Sequence, residues 1–140
     1  AHTTAQLHAA LYQARPEVNA VITAQPPHLT AFAVCRKYLD ARTIPESYLQ
    51  LRDLLYGQFD AYYDAPETLA AAFAPAKPAM LVENVGAVTT GNNLLKAFDR
   101  MEVMEATARS VIDTAPLGKI IHITDDDIET IVEAFDLPRA

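Results

Sequence analysis

The sequence has few of the residues that mark nucleic-acid-binding, disulfide-bonded or membrane-spanning proteins. Its 11 Lys and Arg residues are outnumbered by 18 Asp and Glu residues, the net charge is −7, and no basic cluster is present. We therefore do not expect nucleic acid as a partner. The one cysteine, Cys35, cannot form an internal disulfide, and we expect it to be buried and unreactive. Because no apolar run approaches the length that crosses a bilayer, we expect no membrane partner either.

The rest of the composition is typical of a globular protein. Hydrophobic residues make up 51% of the 140 residues, and no glycine- and serine-rich linker divides the chain. We therefore predict one domain over residues 1–140. The lack of a basic segment and an apolar signal core at the N-terminus, together with the lone cysteine, favours the cytoplasm. The sequence begins with Ala1 and not with Met, so we expect a trimmed chain or a fragment.

Apolar periodicity and the positions of proline predict helices that alternate with strands. The segment 42–63 has no clear period, and we expect short strands and loops there. This order of elements predicts an α/β domain. The predicted helices span about 3–14, 28–38, 66–74, 93–114 and 124–135, and the predicted strands span 19–24, 79–82 and 87–90.

The longest predicted helix, over 93–114, carries a carboxylate on its apolar stripe. At about 100° per residue the stripe contains Leu94, Phe98, Met101, Ala108 and Ile112. Glu105 lies in the middle of this stripe, where a carboxylate must find a partner or shift its pKa. We favour a structural role, with an Arg, a backbone amide or a second subunit as the partner, over a catalytic one.

Two other features of the sequence could suggest metal binding. Asp125, Asp126 and Asp127 are consecutive acids, but Thr124 before them is a natural N-cap, so we attribute them to the first turn of a helix. The four histidines also lack the spacing that would direct two imidazoles at one ion. They are His2, His8, His28 and His122. We expect His8 to pack or hydrogen-bond locally on its helix.

Two segments together resemble the class II aldolase/adducin family, which includes fuculose-phosphate and rhamnulose-phosphate aldolases and ribulose-phosphate epimerase. Residues 7–27 (LHAALYQARPEVNAVITAQPP) resemble the family's helix, Arg-Pro turn and metal-bearing strand, which ends in Pro-Pro. Residues 79–109 (AMLVENVGAVTTGNNLLKAFDRMEVMEATAR) resemble its Asn-His-Gly strand, its next strand and the helix that follows. The resemblance implies a three-layer α/β/α domain around a largely antiparallel sheet, of which this chain is the C-terminal portion.

The resemblance also implies that the family's catalytic groups are replaced in this chain. In the family, three histidines hold a zinc ion that polarises a ketose phosphate. Their positions fall on Thr23, Gln25 and Val85, which offer a poor ligand, a weak ligand and no ligand atom. The family's acid/base glutamate falls on Thr4, which has no suitable proton affinity. We therefore predict no catalytic residue, no metal ligand and no cofactor.

Some polar residues of the resembling segments could still bind a ligand. The family's phosphate-binding hydroxyl pair falls on His2 and Thr3, of which only Thr3 keeps a hydroxyl. The candidate ligand-binding residues are Thr3, Thr4, Gln25, His28, Asn84 and Gly86. The resemblance implies a small sugar phosphate as the candidate ligand and a homo-oligomer, commonly a tetramer, as the assembly.

The leading hypothesis is a degenerate class II aldolase-like protein, a pseudoenzyme without metal-dependent aldolase activity and with a structural, ligand-binding or regulatory role. Adducin indicates that the family fold can serve as a structural module. The first alternative is a lyase, a sugar-phosphate aldolase or epimerase whose changed site is completed by an upstream segment or by another subunit. The second alternative is a module that binds a polyol or a sugar phosphate without turnover.

Overall fold

A computed structural model describes residues 3–137, which form one four-stranded sheet covered by helices on both faces. The sheet has the order β1-β4-β3-β2, with β4 antiparallel to both of its neighbours and β2 parallel to β3. The three-layer arrangement and the largely antiparallel sheet are therefore confirmed. The strands are β1 (Ala20–Ala24), β2 (Leu55–Gly57), β3 (Ala79–Val82) and β4 (Gly86–Gly91).

The helices divide into two layers. One layer contains α1, α4 and α5, and the other contains α2, α3 and α6, while α7 follows the layers at the C-terminal end. None of the helices within residues 3–137 combines the length and the apolarity of a membrane span. Their bounds are α1 (Thr3–Ala14), α2 (Pro27–Cys35), α3 (Pro45–Leu51), α4 (Phe59–Asp64), α5 (Pro66–Ala72), α6 (Leu94–Asp113) and α7 (Asp125–Ala134).

Each face of the sheet carries its own apolar cluster because side chains alternate along a strand. On β1, Val21 packs against the cluster that contains Leu7 and Leu11 of α1, whereas Ile22 packs against the cluster that contains Met104 of α6. Each fully buried leucine or methionine contributes about 1.5–3 kcal/mol relative to an exposed one. Thr23, two residues after Val21, therefore lies on the face that α1 covers.

The prediction for segment 42–63 was wrong in part. Two helices, α3 and α4, flank the short strand β2 where strands and loops were expected. Ile44 is extended as its Pro neighbour requires, with φ −135° and ψ 158°, but Pro45 then opens α3. Proline suits the first helical turn because the N–H that it lacks would have no partner there. The same residue thus ends an extended dipeptide and begins a helix.

The apolar stripe predicted for α6 was wrong in part: Met101 and Ala108 are buried, but Leu94, Phe98 and Ile112 are 66%, 51% and 38% exposed. The buried residues are Ala97, Met101, Met104, Thr107 and Ala108. At about 100° per residue, the centre of the observed buried face lies roughly 60° around the helix from the centre of the predicted stripe. Small residues on this face let α6 pack closely, and the Thr107 hydroxyl lies 2.6 Å from that of Ser47 in α3. Glu105 consequently stands at the border of the buried face.

Cys35 is exposed, so the prediction of a buried thiol was wrong. Helix α2 buries Leu29 and Ala33, and Cys35 is its last residue. Two residues beyond Ala33 correspond to about 200° around a helix, so the thiol points away from the sheet. The predicted helices at 3–14, 66–74 and 124–135 and all three predicted strands are present within one or two residues at each end.

Candidate functional site

The end of β1 meets the start of β4 in a corner, at which the resemblance places the family's metal ligands. Thr23 pairs with Val88 and Ala24 with Ala87, so Gln25 lies next to Gly86. Gly86 has φ 145°, and a Cβ there would lie 2.4 Å from the Ala24 carbonyl oxygen and 3.2 Å from Gln25 Cγ. Only glycine permits this approach. The fold thus brings together residues that are about 60 positions apart in sequence.

Thr23 is held by a side chain from α1. His8 Nε2 lies 2.8 Å from Thr23 Oγ1, and burial lowers the pKa of His8. The imidazole is therefore neutral near pH 7, and its Nε2 either accepts the hydroxyl proton or donates to the hydroxyl oxygen. His8 was expected to pack or hydrogen-bond locally, and its hydrogen-bond partner lies 15 residues away on β1. The spacing within α1 gives no sign of this partner.

Thr4 lies one turn before His8 and makes a second polar contact. Its Oγ1 is 2.7 Å from the Tyr62 hydroxyl of α4, which is otherwise buried. Thr3, at the start of α1, is half-buried. Helix α1 thus contacts β1 through the His8–Thr23 pair and α4 through the Thr4–Tyr62 pair, and we call these four side chains the polar corner. His2 lies outside the described residues.

Val85 and Asn84 precede Gly86 in the turn between β3 and β4. Val85 is partly buried and packs against the apolar cluster under α1, so its position is occupied by hydrocarbon. Asn84 adopts the left-handed conformation with φ 57°, and its Oδ1 accepts a hydrogen bond of 3.0 Å from Arg36 Nε. Arg36 also pairs with Glu83 at 2.9 Å. Asn84 is thereby turned toward the end of α2.

His28 is bound to Glu105 at the start of α2. The carboxylate accepts the backbone N–H groups of His28 and Leu29, at 3.2 and 2.9 Å, and lies 2.7 Å from His28 Nδ1. Burial acts to raise the pKa of Glu105, but the hydrogen bonds from the His28 ring and the two backbone amides together hold it below its ordinary value. Glu105 is therefore an ionised cap for α2, with backbone amides as its partners.

The residues of the corner do not fit the zinc site of the family. Thr23, Gln25 and Val85 offer a hydroxyl, a carboxamide and an aliphatic side chain, whereas zinc in proteins is held by imidazole, thiolate or carboxylate. No group of three His, Cys, Asp or Glu side chains that could hold a metal occurs anywhere in residues 3–137. The donors that are present are neutral, and they suit hydrogen bonds to hydroxyl groups.

Comparisons with known proteins agree with this fold. A 3-oxo-tetronate 4-phosphate decarboxylase of Haemophilus influenzae is 30% identical over 134 residues, covering 91% of this chain and 62% of that protein. An L-fuculose phosphate aldolase of Methanococcus vannielii is 28% identical over 103 residues, covering 74% and 56%. The solved L-fuculose 1-phosphate aldolase from Glaciozyma antarctica has the same fold, with a TM-score of 0.76 and 21% identity, covering 94% and 50%.

The chain therefore spans about half to 62% of the length of these proteins. The family model described as Class II Aldolase and Adducin N-terminal domain matches residues 1–112. This match includes both resembling segments, the sheet and nearly all of α6. The chain belongs to the class II aldolase and adducin N-terminal domain family.

Proposed function

We propose that this chain is a degenerate class II aldolase-like protein that binds a small hydroxylated ligand of the sugar-phosphate class without metal-dependent aldol cleavage. The contact between His8 and Thr23 carries this proposal. At the position of the family's first metal ligand, the side chain is a hydroxyl already bonded to an imidazole at 2.8 Å. The group that would face a metal is therefore engaged within the protein.

The other two ligand positions support the same conclusion. Gln25 is exposed and its amide oxygen is a neutral ligand, while Val85 packs on an apolar cluster and offers no donor atom. A metal at this corner would have one weak protein ligand. Aldol chemistry of the family's kind needs a Lewis acid on the carbonyl oxygen, and these side chains cannot hold one.

The polar corner instead suits recognition of hydroxyl groups. A hydroxyl has one donor and two acceptor sites, so those of Thr4 and Thr23 keep hydrogen-bonding capacity beyond their bonds to Tyr62 and His8. Gln25 adds an amide that can rotate at the edge of the corner. Neutral groups of this kind can orient a bound sugar through hydrogen bonds, but they carry no charge that would stabilise a charged transition state.

Element analysis and an activity assay of the purified protein test the proposal. We expect no stoichiometric zinc and no metal-stimulated cleavage of ketose phosphates, together with a saturable thermal shift by a sugar phosphate that Gln25→Ala and Thr23→Val reduce. Lys119→Ala, on an exposed loop, is the matched control. One equivalent of tightly bound zinc that Thr23→Val removes would refute the proposal.

A second candidate is a sugar-phosphate lyase or epimerase with a changed site that an upstream segment or another subunit completes. Two observations favour it: the relatives named above are a decarboxylase and an aldolase, and the neutral imidazole of His8 can accept a proton. Turnover of a ketose phosphate by the native full-length protein, lost in His8→Gln and kept in His122→Gln, would favour this candidate. Inactivity across a panel of ketose phosphates with added divalent metals would exclude it.

A further inference from the structure

A cleft at the opposite end of the β1–β4 pair gathers three cationic side chains. The cleft has a volume of about 250 Å³ and is lined by Arg15, Lys96 and Arg100 beside Gly91. Gly91 pairs with Ala20, at the far end of the ladder from Gly86. Gly86 and Gly91 are five residue steps apart along β4, or about 17 Å at about 3.3 Å per step. The cleft is therefore separate from the polar corner and independent of the function proposed for it.

The fold places the three cations on two elements. Arg15 follows the last residue of α1, while Lys96 and Arg100 lie one turn apart on α6 and so share one side of that helix. Asn93 caps α6 through a 2.9 Å hydrogen bond from Lys96 N, so the N-terminal end of this 20-residue helix opens beside the cleft. The partial positive charge of the helix end adds to the three side-chain charges.

The three positive charges of the cleft are balanced only in part, because Glu17 is the one carboxylate among the described residues that line it. No ion pair within residues 3–137 includes Arg15, Lys96 or Arg100, although Glu17 also lines the cleft. Arg100 Nη1 donates to the Thr90 carbonyl at 2.6 Å, which fixes the guanidinium without neutralising it. Burial lowers the pKa of Arg100, as expected for a charge that is withdrawn from water without a counter-ion.

Arg15, which lines the cleft, has an unsatisfied hydrogen-bond donor. Its Nε is buried and has no hydrogen-bond partner in the described part of the chain. A buried charged donor without an acceptor is costly, and an oxyanion in the cleft would accept this hydrogen. The overall charge of −7 repels anions in general, so any attraction must come from this local set of cations.

We propose that this cleft binds a phosphate group, either inorganic phosphate or the phosphoryl end of a small metabolite. Two guanidinium groups and an ammonium match the oxygens and the double charge of phosphate better than those of a carboxylate. Phe73, Pro75 and Pro78 form apolar walls that limit hydration of the bound group. The volume lies below the about 300 Å³ at which pockets for drug-sized ligands begin, so the ligand is small.

Calorimetric titration with inorganic phosphate, at constant ionic strength, tests the site. We expect one saturable site with a Kd below about 1 mM in the wild-type protein. Lys96→Glu should weaken binding at least tenfold, because it removes one charged hydrogen bond to the phosphate. This exposed position on α6 tolerates glutamate, and the new carboxylate can pair with Arg100 one turn later. Arg15→Gln should weaken binding similarly and removes charge without adding a carboxylate.

Two controls locate the site. Lys119→Glu makes the same charge change outside the cleft, and His8→Gln alters the polar corner; both should bind phosphate as the wild type does. Tighter binding of glycerol phosphate than of inorganic phosphate would identify a phosphorylated metabolite as the ligand, and the reverse order would identify free phosphate. The proposal is overturned by the absence of saturable binding of either compound, by equal binding of acetate, by unchanged binding in Lys96→Glu, or by loss of binding in His8→Gln.

Discussion

Replacement of Glu105 by alanine should destabilise the protein through the start of α2. The carboxylate accepts two backbone N–H groups and the His28 ring nitrogen, at 3.2, 2.9 and 2.7 Å. Loss of a helix cap costs about 1 kcal/mol, and each hydrogen bond to a charged group contributes about 1.5–3 kcal/mol. Since the Glu105 side chain is 24% exposed, water can replace part of these bonds. We expect a loss of about 2–3 kcal/mol in the free energy of unfolding.

For a chain of this size that loss corresponds to a Tm lower by roughly 6–10 °C, measurable by circular dichroism. Glu102→Ala is the matched control because Glu102 is an exposed acid one turn earlier on α6. The pKa of Glu105 is lowered in the folded protein, so its contribution is complete above the unfolded value of about 4.3 and declines as the pH falls through the folded value. Equal stability of the two variants, or a difference that does not shrink below about pH 4, would refute this account.

Three further outcomes follow from single residues. Gly86→Ala should lower the free energy of unfolding by at least about 1 kcal/mol more than Gly118→Ala in urea titrations, because both have positive φ but only Gly86 meets a backbone oxygen at 2.4 Å. Burial raises the pKa of Tyr56 to about 12, although the hydrogen bond from the Leu39 backbone acts to lower it. The ultraviolet titration of the native protein should therefore contain a tyrosinate step at high pH, and Tyr56→Phe should remove this step. Cys35 is exposed, so one thiol should react with a colorimetric thiol reagent without denaturant; an unreactive thiol would contradict its placement.

Local sequence signals, such as helix caps and prolines, were sufficient to predict most of the helices and strands. Thr124 was predicted to be an N-cap, and its side-chain oxygen accepts the N–H group of Asp127 at 3.2 Å. Caps and prolines affect only residues within about one helical turn, so their effects can be predicted from a single sequence. The order of the elements predicted an α/β domain, and the resemblance implied its three-layer arrangement.

The contacts that define the polar corner could not be predicted in this way. The Thr4–Tyr62 hydrogen bond joins residues 58 positions apart, and the His8–Thr23 bond joins a helix to a strand. Neither pairing leaves a periodic trace in the sequence, because both depend on how α1 lies over the sheet. The rotation of the buried face of α6 has a similar origin, since it reflects packing on α3 and the sheet and not the amphipathic pattern of the helix alone.

The resemblance located the corner itself, although it could not give the contacts within it. Positions 23, 25 and 85 were taken to be the family's ligand positions, and the register from Ala24 to Ala87 with the close approach at Gly86 joins the segments that carry them. The cationic cleft was not predicted. Its charges lie on two segments far apart in sequence, so no local cluster of Lys and Arg marks it.

Metal binding by a variant with restored histidines tests the central claim most directly. The claim is that the family's scaffold is kept at the corner while its metal ligands are replaced. Element analysis after dialysis against zinc should find no stoichiometric zinc in the wild type and about one equivalent in Thr23→His/Gln25→His/Val85→His, with circular dichroism showing that both are folded. A full equivalent of zinc in the wild type, or a folded triple variant that binds none, would contradict the claim.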